Sequence, residues 1–189
     1  MVRIQVKHGG GISDDDEKEF LYECPSTSIV DEIAKDVIEI SNLQSKIQHF
    51  VLLLEPRFPL LSLHGDPKVL PLMRALSEAK SYASKDQVLH NRPLSNYVLR
   101  DHIQSIETEF RVNCQILGFP DSNLWQLLTD LELLQEDTTQ LWWAGKELLR
   151  GKKLCDYIGK NEKTKIMLKL QSPISLPACN SEMDLINKK

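Results

Sequence analysis

Cysteine is scarce in this chain of 189 residues: Cys24, Cys114, Cys155 and Cys179 lie far apart, with no CxxC pair. The start, Met-Val-Arg-Ile-Gln-Val-Lys, alternates in polarity and lacks the apolar core of a signal peptide. Reduced thiols in a cytosolic protein are therefore expected. Long apolar runs are missing too. The most apolar stretch, 51–63, is interrupted by Glu55, Pro56, Arg57 and Pro59, which argues against a membrane span. Eight Gly and nine Pro exclude collagen-like or low-complexity character. None of His8, His49, His64, His90 and His102 stands three or four residues from another His or Cys, so no zinc-ligand spacing is present. Gly9, Gly10 and Gly11 lack the Lys-Ser/Thr and helix start of a phosphate-cradling loop, which leaves a turn. A formal charge of −4 argues against non-specific nucleic-acid binding by the whole chain.

What is present is an ordinary globular composition, 41% hydrophobic and 26% charged. The length suits one domain, or one domain carrying a large insertion. Charge is unevenly spread. Residues 1–42 hold four basic and ten acidic side chains, whereas 139–171 hold eight basic and three acidic. Opposite charge suits ends that dock on one another, and it equally suits independent solvated faces.

Val2, Ile4 and Val6 alternate with Arg3, Gln5 and Lys7, the period-two signature of a half-buried strand. A Gly- and Asp-rich turn leads to a second alternation through Phe20, Tyr22 and Cys24, which makes a hairpin. Pro25 ends it. Ser28 with Asp31 reads as a helix cap before Ile29, Ile33, Val37 and Ile40. Residues 43–138 read as mainly helical. Leu43, Ile47, Phe50, Val51 and Leu54 continue one face up to Pro56, a Pro-rich loop spans 56–71, and Leu72, Leu76, Ala79 and Ala83 mark the next helix. A further helix is expected from about 94 to 106 on Leu94, Val98, Leu99 and Ile103. Phe110, Val112, Cys114 and Ile116 alternate as a strand, and Asp121 or Ser122 caps a leucine-rich helix to about Leu134. In the last third, propensity leaves Leu141-Trp142-Trp143-Ala144 open between strand and helix. Thr164, Ile166, Leu168 and Leu170 alternate with Lys165, Met167, Lys169 and Gln171, a strand with one apolar and one mostly basic face.

The run QLWWAGKELLRGKKLCDY (140–157) resembles the third strand, Ala-Gly turn, fourth strand and Leu-x-Asp-Tyr turn of ubiquitin-like domains, and KTKIMLKL (163–170) resembles their last strand. The resemblance implies an α+β fold, a ubiquitin-like β-grasp sheet split by a mainly helical insertion. Its parts would be 1–42 with 139–171 as a discontinuous ubiquitin-like domain, 43–138 as the insertion and 172–189 as a flexible tail. The first and last strands would then be parallel neighbours, Ile4 and Val6 beside Ile166 and Leu168. A second resemblance is narrower. LWWAGKEL followed by KKLCDYIGKNEKTKI is similar to the C-terminal signature of the Kurly family of cilia- and flagella-associated proteins. MVRIQVKHG…EFLYE is similar to that family's start, and SEAKSYASKDQV (77–88) gives a weaker match. Members of that family continue into a long charged helical tail where this sequence ends. The resemblance implies a non-enzymatic cytoplasmic adaptor or assembly factor for axonemal dynein arms, needed for cilium motility and placed in the cytoplasm and also at the cilium or its base. Its partners would be dynein-arm assembly factors, with no cofactor, nucleic acid, membrane or small-molecule substrate. The rival reading is a general ubiquitin-like interaction module unrelated to cilia.

Cys155 falls in the Leu-x-Asp-Tyr turn and reads as a small filler, not a nucleophile. No nucleophile–base, metal or phosphate constellation is visible, which weighs against an enzyme. Trp142 and Trp143, if in a strand, must point to opposite faces. With Leu141 and Trp143 inward, Trp142 stands on the outer face, where it is either a partner contact or covered by the insertion. The candidate partner-binding residues are accordingly Trp142, Lys146, Lys165, Met167 and Lys169.

Overall fold

The computed structural model describes residues 1–9, 18–59, 67–119, 126, 128–129 and 131–172. Five strands form one mixed sheet: β1 (Val2–His8), β2 (Lys18–Cys24), β3 (Gln140–Trp143), β4 (Lys146–Glu147) and β5 (Lys165–Gln171), in the spatial order β2-β1-β5-β3-β4. β1 and β2 are the expected hairpin, antiparallel, and its Gly- and Asp-rich turn lies outside the described residues from position 10 on. β1 runs parallel to β5 with Ile4 opposite Ile166 and Val6 opposite Leu168, the neighbours expected from the two alternations. The period of two along each strand sends alternate side chains to opposite faces of the sheet. Val2, Ile4, Val6, Phe20, Cys24, Leu141, Ile166, Leu168 and Leu170 are all buried on the inner face.

Helix α1 (Val30–Leu54) lies under that face, and its buried positions include Ile33, Val37, Ile40, Ile47, Phe50 and Leu54. The expected boundary at residue 42 falls inside this uninterrupted helix. Helices α2 (Leu70–Tyr82) and α4 (Asn96–Asn113) pack on each other and on α1, and a short α3 (Asp86–Leu89) connects them. The buried residues of sheet and helices form one contiguous cluster. Asn42 ties residues 131–135 to α1: its amide donates to the Leu134 carbonyl at 2.9 Å, and its carbonyl accepts the Leu134 N–H at 2.8 Å. The outer edge of β2 is closed by the stretch just before α4, where the Leu94 N–H donates to the Leu21 carbonyl at 2.8 Å.

The fold departs from the local pattern at four points. The alternation of Phe110, Val112, Cys114 and Ile116 is not a strand: α4 runs through it to Asn113, and a turn comes after. Leu99, Ile103, Ile106 and Phe110 repeat at three and four residues and bury one helical face, and this tertiary burial outweighs a short alternation. Val98, placed in the stripe by the sequence, is instead 37% exposed. Residues 131–135 are neither helix nor strand, so the leucine-rich helix does not reach Leu134; its expected start at 121–122 lies outside the described residues. Ser28 does not cap α1. The residue ahead of the helix is Ile29, whose side chain has no acceptor to offer, and the Val30 N–H goes instead to the Lys152 carbonyl at 2.8 Å. The stretch 172–189 lies outside the described residues beyond Ser172.

Candidate partner-binding face

Residues 26–31 meet residues 151–155, where the recognisable motifs lie. The Leu154 N–H donates to the Ser28 carbonyl at 2.9 Å, the Cys155 N–H to the Ser26 carbonyl at 2.8 Å, and the Gly151 N–H to Asp31 Oδ2 at 2.6 Å. The Leu-x-Asp-Tyr turn is a single helical turn, α5 (Cys155–Ile158). The Tyr157 hydroxyl accepts the Leu149 N–H at 2.9 Å, and the wholly buried Leu154 anchors the turn in the core. In the GKNEKTK run, Asn161 and Thr164 close a turn ahead of β5 through the Thr164 hydroxyl and N–H, both donating to the Asn161 carbonyl. Glu162 Oε1 accepts the Ser26 N–H at 2.8 Å, and its other oxygen lies 3.5 Å from the chain's terminal ammonium. These motif residues hold the fold together.

The hydrogen bonds from Ser26, with the terminal ammonium beside them, hold the Glu162 carboxyl below the usual glutamate range. A carboxyl depressed in the folded state stabilises above its unfolded pKa, and the contribution fades as pH falls below about 4.3. Glu162→Gln is thus expected to lower the denaturation midpoint at pH 7. The gap to the parent protein should narrow below that pH, and urea titrations of both proteins at pH 7 and about pH 3.5 read it.

The outer face of the sheet collects most of the residues singled out by sequence. The register lays Glu19, Lys7, Lys169, Trp142 and Glu147 in one row across all five strands. Leu21, Gln5 and Met167 form the next row, and Glu23, Arg3 and Lys165 the one after. Lys165, Met167 and Lys169 are exposed, Met167 by 43%. Trp142 is half-buried in its row, with its indole N–H donating to Gln140 Oε1 at 3.2 Å. Trp143 takes the inner face with Leu141 and packs against the core. At the β2 side the turn between α3 and α4 reaches this face, since Arg3 donates to Asn91 Oδ1 at 2.6 Å and Leu21 is buried.

Lys146 does not join this group. It stands opposite Trp143 across the β3–β4 turn, so its side chain leaves from the other face. Ala144 and Gly145 both take positive φ, 48° and 78°, which makes this a tight two-residue hairpin and fixes that register. Sequence reading omitted Lys7, Gln5 and Glu147. The alternation of β1 already put Gln5 and Lys7 away from the core, but only the parallel pairing with β5 sets them beside Met167 and Lys169. Among the described residues, Cys24, Cys114 and Cys155 are free thiols, and burial pushes Cys24 up to about 11, far from a reactive thiolate. No grouping of three or more His, Cys, Asp or Glu side chains suited to a metal occurs among the described residues, and no helix there is long and apolar enough to cross a membrane.

Comparison with known proteins bears on the same C-terminal region. A family model described as Cilia- and flagella-associated protein 298 matches residues 139–189. The mouse protein of that name is 35% identical over 59% of this chain and 43% of its own length. The zebrafish protein is 35% identical over 53% of this chain and 38% of its own. The Drosophila protein is 20% identical over 90% of this chain and 76% of its own. The chain thus spans less than half the length of the first vertebrate relatives it matches. No solved structure matches it. Among known proteins, this chain is similar to the family of cilia- and flagella-associated protein 298, most distinctly through its last 51 residues.

Proposed function

We propose that this chain is a non-enzymatic adaptor that helps assemble axonemal dynein arms in the cytoplasm and so serves ciliary motility. The observation that carries the reading is its similarity to relatives named for cilia and flagella, strongest in the segment that supplies β3, β4 and β5. A ubiquitin-like character of the sheet is part of the proposal. It is supported by the strand order β2-β1-β5-β3-β4, with parallel β1 and β5 and α1 beneath them. The working surface is the outer sheet face around Trp142, Lys165, Met167 and Lys169, where an indole and a thioether sit among ammonium groups. Such a mixture of apolar anchor and charged surround suits protein recognition. Lys146, on the opposite face, is left out of that surface. In a ciliated source organism, deleting the gene is expected to leave cilia of normal length that do not beat, with dynein arms missing in cross-section by electron microscopy. Normal beating in the deletion strain would overturn the assignment.

A further inference from the structure

A second feature lies away from the outer sheet face. A recess of about 250 Å³ opens between the start of β2, the middle of α1 and the turn after α2. Its apolar floor is Ile47, Val51 and Ala83, and three lysines reach it from three separate elements: Lys18 from β2, Lys80 from the last turn of α2, and Lys85 from the turn beyond it. One carboxylate, Glu19, shares the lining. Lys80 is held by Glu55, with Nζ–O distances of 2.9 and 3.0 Å, and Glu55 lies outside the recess.

Beside these apolar positions α1 also buries polar side chains, of which Gln44 lines the recess. Ser41, Gln44 and Ser45 are all buried, at the spacing of one helical face. Gln44 is only 6% exposed, and its amide donates to the Ala83 carbonyl at 2.9 Å, yet its own carbonyl oxygen finds no donor. Lys18 is half-buried and donates to a neutral hydroxyl, Ser45 Oγ. Burial pushes its ammonium below the usual lysine range, the mark of a cation short of counter-charge. The Ser84 hydroxyl accepts the Asp86 N–H at 3.1 Å, which leaves its own proton free to donate. An orphaned buried acceptor and a half-buried ammonium bonded, among the described residues, only to a neutral hydroxyl both cost folding free energy. A bound anion would relieve the second of these.

We propose that this recess binds a phosphomonoester on a small organic group. The phosphate would lie between the Lys18 and Lys85 ammonium groups and the Ser84 hydroxyl, with the organic part on Ile47 and Val51. A phosphoryl group offers three acceptor oxygens to these two ammonium groups and the hydroxyl, and lysine meets it as a point charge without the planar demands of a guanidinium.

The full chain is to be titrated with phenyl phosphate, with a glycine-flanked phosphoserine peptide and with phenol as the uncharged control, monitored by amide NMR. Binding of either phosphorylated probe, with shifts centred on Lys18, Glu19 and 83–85 and on the Gln44 side-chain amide, supports the proposal. Whichever of the two binds tighter identifies the source of the phosphate, a free small molecule or a modified side chain. Lys18→Met is expected to weaken binding at least tenfold and Lys18→Arg to restore most of it, in proteins whose remaining spectra are unchanged. Lys85→Gln supplies a second, independent loss. The proposal is overturned if neither probe shifts these amides, if phenol shifts them equally, or if Lys18→Met and Lys85→Gln bind as tightly as the parent.

Discussion

Replacing Phe110 by Ala is expected to destabilise the protein by about 3–5 kcal/mol, as truncation of a fully buried aromatic does. Phe110 is 1% exposed in the last turn of α4 and stacks at a tilt on Phe119, ring centroids 5.7 Å apart. Phe119 in turn carries the Arg57 guanidinium 4.0 Å over its ring, while Arg57 donates to the Leu117 carbonyl at 2.6 Å. Removing the ring therefore opens a cavity and loosens the turn that closes the helical layer. Because α1 runs for 25 residues under both the sheet and the other helices, and one cluster of buried residues spans both, the damage should spread. Native-state hydrogen exchange is the measurement, read at the β5 amides. Faster exchange there, matching the loss of global stability, is expected. Full protection of β5 alongside melted helices would instead mark sheet and helices as separate folding units.

The second large effect belongs to the tryptophan pair. Trp142→Ala is expected to cost about 2 kcal/mol or more in affinity for a protein partner, roughly a thirtyfold loss, because aromatic anchors dominate interface energetics. Its cost in stability should stay within about 1 kcal/mol, the worth of one cross-strand pair, here with Lys169 and Glu147. Trp143→Ala should do the reverse and destabilise by about 3 kcal/mol, since that ring packs against the core. Urea denaturation of both variants, with affinity measured against a partner recovered from ciliated cells, separates the two roles. If Trp142→Ala unfolds the protein as readily as Trp143→Ala while binding is unchanged, the outer sheet face is structural and the partner surface lies elsewhere.

The contrast between these residues shows what a local pattern can carry. Strict alternation in β1 and β5 settled which side chains go inward, because a strand's period of two leaves no other choice once one face is buried. The long stripe from Ile33 to Leu54 likewise settled α1, since an apolar face sustained over many turns has no competing period. The pairing of Ile4 with Ile166 was legible as well, through the resemblance of the terminal segments to a known strand order. Phe110 was not. Four alternating apolar residues fit a strand, and only the packing of α4 on α2 and α1 decided for a helix. The face of Lys146 was equally out of reach, because it depends on a two-residue turn whose register one residue more would invert. The cap of α1 was misread at Ser28 for a related reason: its backbone donor is satisfied by Lys152, more than a hundred positions away. The recess itself was not legible: Lys80, Ser84 and Lys85 fall in the weakly family-like stretch 77–88, but Lys18 and Gln44 belong to no motif, and all meet only when β2, α1 and the end of α2 are packed together. Periodicity is a property of neighbours along the chain, and it determined the elements. Convergence of charge and buried polarity is a property of neighbours in space, and only the tertiary structure decided it.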